Sequence, residues 1–337
     1  MKIGGTRCLQ VDLARELGLH QGTVSRALRD DPRVSAVTRV RILNAARRRG
    51  YVPDPALSRL AQQRWPGARA TSGTVLAFVT ALATPLKDST MTRRVLEGVR
   101  QQAAQLGYHV DHFSIRDYHS PKRLVEVVEA RGIRGILLGK QNTADLAEAF
   151  DWTRFFGVGC DLGYFRPPLP IVMMDYFGGL LTAWERVRAR GWRRIGLALL
   201  REDRVIDELW KRGAWAVLQE SVPTRERIPL CRFAFGEREV FLRWFHRWHP
   251  EVVLGFNDQQ YWWLKEAGVR IPEDTGFAAL IADMADPSLS GLLSHPEEVG
   301  ARAVEVLDSQ LRTHRHGTEA PTTILVPQLW QDGKTVV

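Results

Sequence analysis

Two side chains near the amino end, Gln21 and Arg26, carry donors suited to the edges of DNA bases. A glutamine amide can pair with a base edge, and an arginine fork makes a bidentate contact with guanine. Thr23, Ser25, Ser35 and Thr38 stand around them in the chain. Short hydroxyls suit phosphate oxygens, which hold register without reading sequence. Each residue alone is equally well a solvated helix position; it is the set, in this order, that points to duplex DNA. The charge is distributed accordingly. The chain has 47 Lys and Arg against 38 Asp and Glu, and residues 1–70 hold 14 of the basic and 5 of the acidic side chains. One short segment therefore contains the whole +9 excess, and the remainder is neutral. A compact cationic segment on a neutral body suggests a polyanion partner for that segment alone. A solubilising basic tail is the alternative, but the segment is patterned rather than low in complexity.

Other chemistry finds little support. Gly157-Val158-Gly159 and Gly178-Gly179 belong to no GxGxxG or Walker loop. His246 and His249 lie near Glu251 but lack a third ligand at metal spacing, and neither GxSxG nor HExxH occurs. No enzymatic activity and no cofactor are expected. Cys8, Cys160 and Cys231 are scattered, which fits reduced thiols in a reducing cytosol. No apolar run approaches the roughly 20 residues of a membrane helix, and the polar start lacks a signal-peptide core. A cytoplasmic protein with no membrane partner is expected.

The elements that must position Gln21 and Arg26 are short helices. Leu9, Leu13 and Leu17, with Ala14, recur at helical spacing and end at Gly18. The next helix spans about 21–29 and turns Val24, Ala27 and Leu28 inward, leaving Gln21, Gly22, Ser25 and Arg26 toward the other side. A turn of a few residues at Gly18 and Leu19 makes this a helix-turn-helix. Asp30-Asp31-Pro32 breaks the chain. Ser35 can cap a third helix over 36–49, whose apolar side would be Val37, Val40, Ile42, Leu43 and Ala46.

Leu13-Ala14, Gly18, Thr23-Val24-Ser25-Arg26-Ala27-Leu28, Arg33-Val34-Ser35, Thr38-Arg39 and Gly50-Tyr51-x-Pro53 follow in an order that resembles the LacI/GalR family of repressors, closely over residues 9–61. The resemblance implies that the second helix enters the major groove. It also implies that residues 56–61, behind the helix start Asp54-Pro55, form a hinge helix that orders on DNA. Leu60 matches the leucine that wedges into the minor groove at the operator centre; packing on the next domain is its other use. The expected DNA-contacting set is Gln21, Gly22, Thr23, Ser25, Arg26, Ser35, Thr38, Tyr51, Arg59 and Leu60. The sequence also departs from the family pattern. Asp54 stands for the usual Asn, Leu57-Ser58-Arg59 for Ala-Arg-Ser, and His20 for a capping serine. Gly22 occupies a position where a base-reading side chain is common, so an atypical operator is expected.

Residues 62–72 read as a linker. Beyond them strands and helices alternate: strands near 74–80, 110–115, 135–139, 155–160, 194–200 and 252–256, and helices near 89–106, 120–131 and 178–190. That rhythm argues parallel sheets with right-handed crossovers. Val172-x-x-Asp175-x-x-x-Gly179, Gly191-x-x-Arg194-Ile195, Asn257-Asp258, Gly268-Val269-x-Ile271-Pro272-Glu273-Asp274 and Glu298-x-Gly300-x-x-Ala303 resemble the family's sensor domain. The fold class expected is an all-α helix-turn-helix headpiece plus an α/β two-lobed sensor of the periplasmic-binding-protein-like type I kind. Its parts are a headpiece at 1–53, hinge and linker at 54–72, and a sensor and dimerisation domain at 73–337. The N-lobe comprises about 73–172 and 295–320, the C-lobe about 173–294 and 321–332.

The resemblance implies a small-molecule effector, with sugars among the candidates, in the cleft between the lobes. Asp161, Asp175, Asn257 and Asp258 are the expected polar contacts. Trp210 stands where the family has an arginine before Gly213, and Phe277 to Ile281 is apolar where an aspartate is usual. Trp210, Trp262 and Trp263 can supply stacking faces or pack in the core. The function expected is a sequence-specific regulator of repressor type. A homodimer would bind double-stranded, pseudo-palindromic operator DNA, its affinity altered by ligand; inducer and corepressor both fit.

Overall fold

The computed structural model describes residues 10–28, 34–49, 74–141, 146–161, 169–201, 206–282, 287–316 and 321–337. The chain divides into two compact units, Met1–Ser72 and Gly73–Val337.

In the first unit, α1 (Gln10–Leu17), α2 (Gln21–Leu28) and α3 (Ala36–Arg48) enclose one small core. Leu13, Val24, Ile42 and Ala45 are fully buried, with Leu17, Ala27, Val34 and Ala46 around them. Gly18 stops α1. It takes φ +63°, open to glycine without strain, and lets the Leu19 N–H return to the Ala14 carbonyl at 2.9 Å. Arg41 reaches back from α3 to donate to the Leu17 carbonyl at 3.1 Å. Ser35 caps α3: its Oγ accepts the Thr38 N–H at 3.3 Å.

The apolar side of α3 differs from the expected one. Val37 is 82% exposed and Val40 56% exposed, whereas Ile42, Ala45 and Ala46 face inward. The last three share one stripe at i, i+3 and i+4. Val40 lies two residues from Ile42, roughly 200° around the helix, so one face cannot bury both.

Among the described residues, the second unit contains two six-stranded sheets. The first is ordered β11-β5-β4-β3-β1-β2. Its strands are β1 (Val75–Ala81), β2 (His109–Ser114), β3 (Gly135–Gln141), β4 (Phe156–Cys160), β5 (Ile171–Met174) and β11 (Thr323–Val326). All its pairs are parallel. The helices α4 (Thr90–Gln105) and α5 (Pro121–Ala130) connect the early strands of this lobe, and α10 (Pro296–Thr313) packs along α4. Parallel strands covered on both faces become continuous apolar runs, as in β1 and β3.

The second sheet, β12-β10-β9-β8-β6-β7, is built from β6 (Ile195–Leu200), β7 (Cys231–Phe233), β8 (Val252–Gly255), β9 (Gly276–Ala279), β10 (Ser290–Leu293) and β12 (Leu329–Gln331). Only β12 runs antiparallel, against β10. The helices α6 (Tyr176–Ala189), α7 (Ile206–Glu220), α8 (Arg238–Trp248) and α9 (Gln259–Glu266) belong to this lobe.

The chain passes between lobes three times: from β5 to α6, from β10 to α10, and from β11 to β12. The third passage corrects the expected lobe limits. Residues 321–332 do not all belong to the C-lobe, because β11 pairs with β5 from Thr323↔Ile171 to Val326↔Met174. A four-residue strand carries too little pattern to reveal which sheet edge it joins.

Two glycines set the closest helix approach. A methyl placed on Gly98 would overlap the Glu297 backbone, and one on Gly300 would overlap the Val95 carbonyl and stand 2.7 Å from the Val99 nitrogen. Beside this crossing the Arg94 guanidinium makes a two-pronged contact with Glu297, at 2.5 and 2.9 Å.

Candidate functional site

The first candidate site is the outward side of α2. Val24 and Ala27 point into the core, so Gln21 and Arg26 lie away from it. Gln21 is exposed, and Gly22, Thr23, Ser25 and Arg26 are half-buried. The Arg26 Nε donates to the Gly22 carbonyl at 3.1 Å, which lays the guanidinium along the first turn. His20 precedes the helix, and its Nδ1 accepts the Gly22 N–H at 3.1 Å. The imidazole thus does the work of a capping serine oxygen for one of the orphan amides of the first turn. Ser35 and Thr38 are bonded to one another, Oγ to Oγ1 at 2.8 Å, which leaves one hydroxyl proton outside the pair. Tyr51, Arg59 and Leu60, with the whole expected hinge, lie outside the described residues.

Much of the basic charge in this unit has structural partners. Arg39 donates to the Val34 carbonyl at 3.2 Å, Arg41 holds Leu17, and Arg48 and Arg49 both reach Glu16. Net charge alone therefore overstates what remains for phosphates.

The second candidate site is where the lobes meet, beyond the carboxyl ends of β4 and β8. Asp161 follows β4 with φ +50°, an uncommon conformation for a side-chain-bearing residue. Its carboxylate accepts from the Tyr176 hydroxyl, at 2.8 Å to Oδ1 and 3.0 Å to Oδ2. The Lys211 ammonium from α7 lies 4.5 Å from the Tyr176 ring centre and 5.7 Å from that of Phe256, distances at which a ring face attracts a cation. Lys211 is almost wholly buried. Beside it, Trp210 is half-buried and packs against the hydrophobic cluster of the N-lobe. α7 therefore carries two side chains to the meeting of the lobes, one aromatic and one cationic.

The other expected contacts have local duties. Asp175 caps α6, its Oδ1 accepting the Gly178 N–H at 2.8 Å. Asn257 accepts the Gln259 N–H at 3.1 Å, while its own N–H donates to Gln260 Oε1 at 3.0 Å. Asp258 stands at the start of α9 and makes no side-chain capping bond. Gln260 is fully buried, and its Nε2 has no hydrogen-bond partner among the described residues. Trp263 is buried against Phe233 and Phe241, so it is core, whereas Trp262 is 49% exposed. Glu251, near the two histidines, accepts the N–H groups of Arg193 and Arg194 at 2.7 and 3.0 Å.

Sequence reading overlooked Tyr176, Lys211 and Phe256. A signal for Lys211 existed: Ala214, Trp215 and Leu218 fall three, four and seven residues later on the same helix face, and all are buried. Burial pushes the Cys231 thiol up to about 12, and burial with the Asp161 charge pushes Cys160 higher, so both stay protonated and unreactive. Among the described residues no helix is long and apolar enough to cross a membrane, and no cluster of His, Cys, Asp and Glu is arranged to hold a metal.

Comparison with known proteins agrees with this division. A family model described as "Bacterial regulatory proteins, lacI family" matches residues 11–54, and one described as "Periplasmic binding protein-like domain" matches residues 184–335. The HTH-type transcriptional repressor CytR of Escherichia coli (strain K12) is 24% identical over 342 residues, covering 93% of this chain and 92% of CytR. The HTH-type transcriptional regulator AglR of Rhizobium meliloti (strain 1021) is 37% identical over 97 residues, 29% of this chain; the match spans only 25% of AglR. Among solved structures, a "transcriptional regulator CelR-cellobiose complex" superposes with a TM-score of 0.61 at 18% identity, covering 98% of this chain and 100% of that one. The lac repressor dimer bound to operator and the anti-inducer ONPF superposes with a TM-score of 0.61 at 19% identity, again over 98% and 100%. At such identities the structural likeness establishes the fold.

Helix-turn-helix unit and two-lobed α/β unit together define a DNA-binding transcription regulator with a periplasmic-binding-protein-like domain. Within that class the chain is similar to the LacI family in both units, by the match over residues 11–54 and by the likeness to CytR along most of its length.

Proposed function

We propose that the chain is a repressor that binds a pseudo-palindromic operator as a homodimer, with α2 of each copy in the major groove. A small hydroxylated effector, a sugar in the first instance, enters the interlobe crevice and alters DNA affinity. Residues 1–53 act as headpiece, 54–72 as hinge and linker, and 73–337 as sensor and dimerisation domain. The reading is of a cytoplasmic, non-enzymatic protein. The observation that carries it is the two-sidedness of α2, with Val24 and Ala27 locked in the core and Gln21 and Arg26 directed away. CytR is named a repressor, the lac repressor structure holds operator, and CelR holds cellobiose; these support the reading by kinship.

Arg26→Ala is the direct test. Genomic fragments retained by the full-length protein serve as probes in a mobility-shift titration. The variant is expected to lose about 1–3 kcal/mol of specific affinity and to relax preference at one position of each half-site. Equal affinity for the retained fragments would remove α2 from the groove.

The effector reading has its own measurement. A panel of sugars and nucleosides is screened by thermal shift, where a ligand at a hundred times its Kd stabilises by about 2.7 kcal/mol. Lys211→Met keeps the length of the side chain and removes its charge, and is expected to abolish the shift. A shift of unchanged size in that variant would place the ligand away from Tyr176 and Phe256.

A further inference from the structure

Three side-chain positions lie together at the start of α2. A Cβ added to Gly22 would stand 3.1 Å from His20 Nδ1, 3.6 Å from His20 Cε1 and 4.0 Å from Arg26 Nη2. The imidazole of His20 and the guanidinium of Arg26 therefore flank Gly22 on one helix face, over the space its side chain would fill. His20 is exposed. Its Nδ1 accepts the Gly22 N–H, so that nitrogen carries no proton, and the neutral ring must hold its proton on Nε2. The hydrogen bond thus fixes the tautomer and leaves an N–H donor at the far end of the ring.

We propose that His20 is a base-reading residue as well as a cap, with Nε2–H donating to an acceptor on a base edge, such as guanine N7 or O6, next to the base that Arg26 contacts. The proposal rests on the reading that α2 enters the major groove. Gly22 serves it in two ways. A glycine leaves room for the ring to fold over the first turn, and it lets the bases approach the backbone between the two donors. One residue thereby supplies both the orientation of α2 and part of its specificity.

The two roles separate by substitution, because asparagine places an acceptor near the position of Nδ1 and lacks any group at Nε2, whereas glutamine reaches toward Nε2 and caps poorly. Full-length wild type, His20→Asn and His20→Gln are each used to select from a randomised duplex library, and their melting curves are recorded. His20→Asn is expected to melt with the wild type, since asparagine is a preferred cap. It is expected to lose discrimination at one symmetry-related pair of positions and to bind the wild-type consensus about tenfold more weakly, the usual scale for one mismatched contact. His20→Gln is expected to retain that preference while melting earlier.

Identical motifs and affinities for wild type and His20→Asn would overturn the proposal and leave His20 a cap alone. A uniform loss over all sequences, with a shallower salt dependence, would also overturn it by making His20 a phosphate contact. A wild type that enriches no motif would overturn the DNA-binding reading itself, and this inference with it.

Discussion

Gly300→Ala is expected to destabilise the second unit by about 3 kcal/mol, the upper end of the usual cost of overpacking a well-packed site. The added methyl meets the Val95 carbonyl and the Val99 nitrogen, and both are backbone atoms inside α4. No rotamer change can relieve the overlap, so the two helices must separate. Separation would loosen the Arg94–Glu297 contact and the buried residues between them, Val95, Val99, Val299 and Ala303. For a unit of this size the melting transition should fall by roughly 6–12 °C. Differential scanning calorimetry of the full chain measures it. A shift of less than about 2 °C would mean that α4 and α10 do not approach this closely in solution. The alanine at position 303, one turn further along α10, is fully buried, so Ala303→Gly serves as the control and should cost about 1 kcal/mol in helix propensity plus about 0.8 kcal/mol for the lost methyl burial.

Leu13→Ala should abolish DNA binding without moving the melting of the second unit. Leu13 is fully buried, in a cluster that among the described residues has nine buried members. Truncating a buried leucine costs about 2–5 kcal/mol. Small units have little stability to lose, because a short chain buries a smaller fraction of its surface. Loss of that core releases α2 from the angle set by Val24 and Ala27. Mobility shift reports the loss of binding, and proteolysis within residues 10–49 reports its cause. Retained DNA binding with an unchanged headpiece would show that the three helices are held by something other than this cluster.

The two units were unequally legible in the sequence. The headpiece helices were readable almost to the residue, because Gly18 and Ser35 act locally: one stops a helix by its conformation, the other starts one by a single hydrogen bond. The phase of α3 was not readable. Val37 and Val40 are as apolar as Ile42, and only the position of α1 and α2 decides which stripe is covered. The alternation of strands and helices in the second unit was plain, yet the sheet joined by β11 was not, since pairing with β5 is a contact across some 150 positions of chain.

Among the expected effector contacts, Asp175 reads as a cleft-facing loop residue and Asn257 as a polar residue at a strand end. The same residue types are preferred helix caps: Asp175 caps α6, and Asn257, one residue before the start of α9, accepts the Gln259 N–H; a sequence cannot separate those two uses. Lys211 was missed because lysine is ordinarily read as solvated. Its burial depends on the rings of Tyr176 and Phe256, which come from other elements.

The third passage between lobes bears on how the protein is made. Neither sheet has its full set of strands until residues 323–331 have left the ribosome, since β11 completes one and β12 the other. Among the described residues, the nine buried members of the first unit's core have all emerged once residue 46 has. At about 5–20 residues per second, the first unit has its core well before either sheet of the second is complete. Every nascent copy therefore passes through an interval in which the three-helix core is formed and the two sheets are not.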